Sequence, residues 1–179
     1  SWSQDRSPLR MLTEIDNYLL RIEDLHRQVI ELIEALPEEA LNWRPFEGGE
    51  AVESNSFAVL VAHIVGAEHF WVGEVIGGRP PTRKREDEFR VRVKQTRELV
   101  TILKTTEAET REVLTSLSPA ELDGERIADG RTVAVRWGLL HVVDHTALHL
   151  GHLQLSYQLW NGGRSRQAPL WHERLPKKM

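Results

Sequence analysis

Apolar residues recur at intervals of three and four along most of the chain, a spacing that places them on one face of an α-helix. The first stripe of this kind comprises Leu12, Ile15, Leu19, Ile22, Val29, Ile33 and Leu36. Pro37 follows it and, because proline fits the first position of a helix, should start one further turn over residues 38–41. We therefore expect a long amphipathic helix that ends at Pro37 and buries one face.

A second helix is predicted from residue 57 onwards, after a loop over residues 42–54. Asn55 or Ser56 offers a side-chain oxygen that can cap its first turn. Gly77-Gly78, followed by two prolines, should end it. Its apolar stripe is Phe57, Leu60, Ile64, Ala67 and Trp71.

Two further stripes predict a third and a fourth helix. The third stripe consists of Phe89, Val93, Val100, Leu103, Leu114 and Leu117. Ser118-Pro119 should end that helix. The fourth helix is expected to begin after Asp129-Gly130 and to run from about Val133 to Trp160, where the following glycines stop it. No series of residues has the alternation that is typical of strands.

Four long helices in a chain of 179 residues indicate an all-α protein, most simply a four-helix bundle. The length allows one sizeable core but does not divide comfortably into two. We expect a single domain over residues 1–179, with its core at about 9–161 and an irregular tail at 162–179. Trp171 is the residue best suited to anchor that tail.

The composition narrows the range of functions. A net charge of −4 gives no broad basic surface for nucleic acid, and the short basic run 79–85, interrupted by two prolines, is expected to be a solvated loop. The chain has no cysteine, which excludes disulfides, zinc-thiolate sites and a cysteine nucleophile. We expect no membrane-spanning segment and no signal peptide, and hence a cytoplasmic protein.

The fourth predicted helix carries four histidines on one stripe, His141, His145, His149 and His152. At about 100° per residue they fall within roughly 80°, and residues four apart have Cβ atoms about 5–6 Å apart. Two imidazoles at that spacing can bind one metal ion. His63 lies on the apolar stripe of the second helix, and a facing helix is the natural source of a third ligand.

A single histidine on an apolar stripe is more often a hydrogen-bonded core residue than a ligand. Four on one stripe are harder to satisfy, because each neutral imidazole needs both a donor and an acceptor. An unmet buried polar group costs about 1–3 kcal/mol, and the neighbouring Val142, Ala147, Leu148 and Leu153 offer no partner. These considerations favour a metal site.

The remaining histidines and tryptophans allow more than one interpretation. His69 should face solvent or a neighbouring surface, and His172 lies in the tail. His26 occupies a core position, where it could line a pocket, donate a proton or be a buried structural residue. Three tryptophans, Trp43, Trp71 and Trp137, could form an apolar pocket or fill the core. For Trp137 we favour the core.

Two segments carry a resemblance to a known family. They are residues 55–64, Asn-Ser-Phe-Ala-Val-Leu-Val-Ala-His-Ile, with Glu68 and Trp71 following, and residues 141–152, His-Val-Val-Asp-His-Thr-Ala-Leu-His-Leu-Gly-His. The chain resembles the DinB-like (DinB/YfiT) superfamily of proposed metalloenzymes, and the likeness extends over about residues 9–160. Residues 41–45, Leu-Asn-Trp-Arg-Pro, are similar to the family's first loop.

The resemblance implies an up-down-down-up four-helix bundle that pairs into a homodimer. It also implies a metal ion between helices two and four, held by His63, His145 and His149, and so ranks His145 above His141. Many members end the motif with Gly-Gln, whereas this chain has Gly151-His152. That ending is similar to the branch of thiol-dependent S-transferases and isomerases, although the position of His145 is often glutamate there.

Three protein ligands leave a metal position open, which is typical of catalytic rather than structural sites. The expected cofactor is one divalent ion, zinc, nickel or iron, with a low-molecular-weight thiol as a possible cosubstrate. The metal could lower the pKa of a bound water for hydrolysis, or present a thiolate to a small-molecule substrate. His141 and His152 are the candidate catalytic acids or bases. The alternatives are a non-catalytic, metal-stabilised binding or stress-response module, and a structural bundle with buried histidines.

Overall fold

The structure is a computed structural model that describes residues 7–46, 54–165 and 169–175, with side chains from Glu14 onwards. It is mostly helical, as predicted. The predicted core position of Leu12 and part of the loop over residues 42–54 lie outside what is described.

The first half of the chain forms two of the long helices. Helix α1 spans Ser7–Glu34, and after Pro37 a single 3₁₀ turn spans Glu38–Ala40. Helix α2 spans Phe57–Glu68 and continues as a π-helix over His69–Ile76. Of the two candidate caps it is Ser56 that acts, since its hydroxyl accepts a hydrogen bond of 3.2 Å from the Val59 amide.

The second half holds two long helices and several short elements. They are α3 (Arg85–Glu88), α4 (Thr96–Ser116), α5 (Pro119–Leu122), β1 (Glu125–Ala128), β2 (Arg131–Ala134), α6 (Val135–Trp160) and a 3₁₀ turn (Trp171–Glu173). Helix α4 ends at Ser116, two residues before the predicted end of the third helix at Ser118-Pro119. Phe89 and Val93, which we assigned to that helix, lie before it instead.

The start of the fourth helix was predicted too early, because residues 125–134 form an antiparallel hairpin. Ala128 pairs with Arg131 across a two-residue turn. Asp129 and Gly130 both have positive φ, 47° and 74°, as the type I′ turns that join short hairpins require. Val133 is therefore a strand residue, and α6 begins at Val135.

The four long helices pack pairwise around the core. Helix α1 contacts α4 and α6, and α2 contacts the same two helices from the other side. Among the described residues the core forms two apolar clusters, one that includes Leu25, Phe57 and Leu99 and another that includes Ile22, Leu114 and Leu139.

A layer of buried polar residues lies between the two apolar clusters along the helices. It includes His26 on α1, Glu68 on α2, Thr106 and Thr110 on α4, and Thr146 on α6. On α6, Thr146 stands between Val142 of one cluster and Leu150 of the other. Two of the candidate metal ligands, His145 and His149, lie on the same turn of α6 as this layer.

The segment Phe57–Ile76 is long and apolar enough to cross a membrane by length and composition, although no membrane-spanning segment was predicted from the sequence. Most of it is buried against the other helices, as in the core helix of a soluble protein.

Trp171 does not anchor the tail in the expected way, since it is 72% exposed.

Candidate metal centre

His63 of α2 meets His145 and His149 of α6 at one point on the face between the two helices. One ring nitrogen from each lies within 4.8 Å of the others. The closest pair is Nε2 of His63 and Nε2 of His145, 3.1 Å apart. The spacing of four brings the two α6 rings to the same side, with centroids 4.4 Å apart.

The two α6 histidines are held in the neutral form. Burial, with His149 and His63 adding to it, lowers the pKa of His145 to about 3. Burial, followed by the effect of His63, lowers the pKa of His149 to about 4. Neutral imidazoles keep a free lone pair, which is the form that binds a metal ion.

The carboxylate of Glu88, which is not one of the three candidate ligands, orients the ring of His63. Nδ1 of His63 lies 2.8 Å from Oε2 of Glu88, at the end of α3. Burial raises the pKa of the Glu88 carboxyl, but hydrogen bonds from His63 and Arg83 outweigh this effect, and its pKa lies below the ordinary value. An ionised carboxylate can only accept, so His63 donates through Nδ1 and presents the lone pair of Nε2 to the triad.

Glu88 is itself fixed from two directions. Arg83 donates to both carboxylate oxygens, through Nε to Oε1 at 2.6 Å and through Nη2 to Oε2 at 3.1 Å. Gly66 of α2 leaves the space that the carboxylate occupies, since a methyl group there would overlap Oε1 of Glu88. The Glu88 side chain is consequently buried against α2.

These residues fit a divalent metal ion. With metal–nitrogen bonds of about 2.0–2.1 Å, the ligand atoms of a tetrahedral site lie about 3.3–3.4 Å apart. The pair at 3.1 Å is close to that value, and the third nitrogen lies within 4.8 Å of both. Three nitrogen donors, one of them supported by a carboxylate, would form an open site, in which a further position remains for another ligand.

His141 and His152 lie beside the triad rather than in it. The ring of His141 stacks on Trp137, with centroids 5.0 Å apart, and contacts His145 at 5.6 Å. Its Nδ1 lies 3.3 Å from the exposed carboxylate of Asp144. His152 is exposed, and its Nδ1 lies 3.2 Å from Nδ1 of His149. Each of them contacts a triad ring. A catalytic role for His141 and His152 stays a prediction.

The three tryptophans have different surroundings. Trp43 packs against the core beside Phe57 and Trp160. Trp71 is half-buried on the second apolar cluster. The expectation that Trp137 fills the core was wrong, because 51% of it is exposed.

The other histidines with described surroundings take structural positions. His26 is fully buried between two carboxylates, with Nε2 2.6 Å from Glu68 and Nδ1 3.1 Å from Glu107. His69 faces the neighbouring α4, as one of the two predicted options, where its Nδ1 lies 2.7 Å from Glu109.

The residues that sequence reasoning missed are Glu88 and Arg83. The run 79–85 was expected to be a solvated loop, yet the side chain of Arg83 is 14% exposed and holds Glu88. Both lie in a stretch rich in charges, where no local pattern separates a buried pair from its solvated neighbours. Gly66, inside an otherwise apolar helix, was the one available signal, since such glycines often mark a close approach.

Comparisons with known proteins agree with this fold. A conserved protein from Enterococcus faecalis has a similar structure, with a TM-score of 0.68 and 15% identity over 82% of this chain and 96% of that one. A DinB-like protein from Bacillus subtilis is similar with a TM-score of 0.61 and 22% identity, over 87% and 96% of the two chains. None of the curated proteins matches the sequence significantly.

The sequence also matches the family model of the DinB superfamily over residues 21–153. That span includes α2, with His63, and the part of α6 that carries His145 and His149. It confirms the resemblance carried by residues 55–64 and 141–152. The chain belongs to the DinB superfamily.

Proposed function

We propose that this protein binds one divalent transition-metal ion through His63, His145 and His149 and is a metal-dependent enzyme. The convergence of their ring nitrogens within 4.8 Å carries the proposal. The neutral state of the two α6 rings and the carboxylate behind His63 support it. A divalent ion with an open position supplies a Lewis acid for activating water or a thiol.

Two reaction classes suit such a site, hydrolysis and the transfer of a low-molecular-weight thiol. The chain has no cysteine, so a thiol would have to come from a cosubstrate. His141 is placed to move a proton, since it is half-exposed, contacts His145 and is paired with Asp144. His152 contacts the other α6 ring, and we propose that it acts as an acid or base or orients His149.

Metal analysis tests the binding step. Protein purified without chelator and then given zinc, nickel or iron should hold about one equivalent, and His149→Ala should lose it. His172→Ala is the matched control, because His172 is exposed in the C-terminal 3₁₀ turn. Less than about 0.1 equivalent of every metal in the unaltered protein would contradict the proposal.

Activity is tested separately on metal-loaded protein. One panel contains small thiols with electrophiles and the other contains esters and amides. Turnover that depends on His149 and falls in His141→Gln would support an enzyme in which His141 moves a proton. If one equivalent of metal binds but neither panel turns over, the enzyme proposal loses its support.

The geometry also supports a second candidate, a non-catalytic module in which the metal only stabilises the fold. The triad joins α2 to α6, which are far apart in sequence, so a bound ion would cross-link them. This candidate predicts that metal raises the thermal midpoint strongly. It also predicts that His141→Gln leaves the biological role of the protein unchanged.

We further propose that the four long helices form the up-down-down-up bundle of a single cytoplasmic domain, which their pairwise packing supports. A homodimer is proposed through the outer face of α6. That face exposes four leucines, Leu140, Leu148, Leu155 and Leu159. Sedimentation should then give twice the chain mass of 20.6 kDa.

A further inference from the structure

A groove lies between the π-helical end of α2, the hairpin β1–β2 and the first turn of α6. Its volume is about 670 Å³, within the range of small-molecule sites. The aromatic rings of Phe70, Trp71 and Trp137 form its inner walls. The hairpin forms the outer wall, between Ala128 and Ala134.

The aromatic rings of the walls pack against one another and against α6. Trp71 meets Phe70 edge to face at 5.3 Å and Trp137 at 5.2 Å, so the three rings form one continuous surface. Gly138 of α6 allows Trp71 to lie against the helix, since a methyl group there would stand 3.3 Å from the Trp71 ring. Trp137 keeps half of its surface open to the groove side and solvent.

The aromatic walls contact residues that touch the metal triad. The rings of Trp71 and Trp137 contact His141 at 5.4 and 5.0 Å, and His141 contacts His145. On the other side, the Arg83 guanidinium lies over the Phe70 ring at 5.6 Å and binds Glu88, the partner of His63. The triad histidines do not line the groove, but two separate chains of contact connect its walls to the triad.

The rim of the groove carries one charge of each sign. Asp129 and Arg131 both line it, and neither forms an ion pair with another residue in the part of the chain that the structure describes. Opposite charges side by side do not select a strongly charged ligand. The aromatic walls select flat rings, because stacked and edge-to-face contacts add to the apolar burial that any ligand would gain.

We propose that this groove binds an uncharged planar aromatic group of the substrate, of one or two fused rings, and places the attached reactive group at the metal centre. Only the placement of the reactive group at the metal centre rests on the proposed function. Binding of the ring is a property of the groove and is measurable without metal or turnover.

The first test measures ligand binding to the whole chain by ¹⁹F NMR. The probe is 5-fluoroindole, and fluorocyclohexane is the non-aromatic comparison. 5-Fluoroindole should bind more tightly than fluorocyclohexane. Trp137→Leu should weaken 5-fluoroindole binding roughly three- to tenfold, the loss expected when one aromatic contact becomes aliphatic. Trp171→Leu, at an exposed tryptophan outside the groove, should leave binding unchanged.

Equal binding of both probes, or an equal loss in both variants, would overturn the assignment. Trp137 is half-exposed, so Trp137→Leu should fold, and its thermal midpoint checks this. His149→Ala should bind 5-fluoroindole as the unaltered protein does, so a failure of the metal proposal leaves the groove result intact.

The second test asks whether the groove delivers its ligand to the triad. Cobalt(II) accepts imidazole ligands and is paramagnetic, whereas zinc(II) is not. The fluorine of bound 5-fluoroindole should relax faster in cobalt-loaded than in zinc-loaded protein, and Trp137→Leu should reduce the difference at equal probe concentration, in proportion to its weaker binding. Binding without any cobalt effect, in protein shown to hold cobalt, would overturn the placement beside the metal.

Discussion

At the scale of single residues, the orientation of one ring depends on a carboxylate. His63 can place its proton on either nitrogen, and only the Nδ1 tautomer presents Nε2 to the triad. The ionised Glu88 selects that tautomer by accepting from Nδ1 at 2.8 Å, and Arg83 keeps Glu88 in place. Such outer partners hold metal-ligating histidines and raise their basicity.

We predict that Glu88→Gln weakens metal binding by about 10- to 100-fold, the usual loss on removing such a partner. Isothermal titration with zinc measures the change. Glu86→Gln is the matched control, because Glu86 lies on the same short helix with its side chain 79% exposed. An equal effect of both substitutions would show that Glu88 acts only through the net charge.

Gly66→Ala tests the same contact from the other side. Alanine favours helix over glycine by roughly 1 kcal/mol, so the substitution should stabilise α2 if nothing opposed it. Here the methyl group would overlap Glu88, and we expect weaker zinc binding and a lower thermal midpoint. Gly151→Ala meets no atom within 4 Å and should be neutral or stabilising.

At the scale of elements, His26 ties three helices together inside the core. Its two nitrogens face Glu68 of α2 and Glu107 of α4, while Thr110 donates to the other oxygen of Glu68 at 2.5 Å. Burial alone would lower the pKa of His26, but Glu68 and Glu107 outweigh it and raise the pKa to about 9. The ring is therefore a cation that donates to both carboxylates, and Lys104 balances Glu107 from outside.

This arrangement predicts a loss of stability at alkaline pH. The folded pKa of about 9 lies above the ordinary 6.5, so the stabilisation is complete below 6.5 and declines as the pH rises through 9. Urea unfolding between pH 6 and 10 should show the decline. His26→Leu should remove most of this dependence.

The same substitution should lower the free energy of unfolding at pH 7 by about 3–5 kcal/mol, because it leaves two carboxylates without their cation. Leu36→Ala, a deletion in the apolar core, is the comparison, since it should destabilise without altering the dependence on pH. A flat pH profile in the unaltered protein would contradict the charged state of His26.

At the scale of the whole molecule, the triad joins α2 to α6 across the edge of the core. A metal ion that binds only the folded chain stabilises it by about 2.7 kcal/mol when present at 100 times its Kd. We predict a corresponding rise in the thermal midpoint with zinc, absent in His149→Ala and retained in His172→Ala. The same rise in both variants would indicate binding elsewhere on the chain.

The sequence by itself predicted the helical architecture and the three histidines that we propose as ligands. Apolar spacing identified the four long helices because periodicity is a local property, and a spacing of four placed His145 and His149 on one side of α6 for the same reason. Adding His63 from α2 needed only the expectation that apolar faces meet. The preference for His145 over His141 came from the family resemblance, and in the structure it is His145 that lies together with His63 and His149.

Only the tertiary structure decided the surroundings of these residues. Glu88 and Arg83 reach His63 from a charged segment whose pattern matches that of a solvated loop, because their burial depends on the helix beside them. His26 became a cation only when α2 and α4 each brought a carboxylate to it. Trp137 is half-exposed and lines a groove beside the hairpin β1–β2, which the helical spacing did not predict. Spacing along one chain segment determines which residues share a face, whereas charge state and exposure depend on what other segments bring to that face.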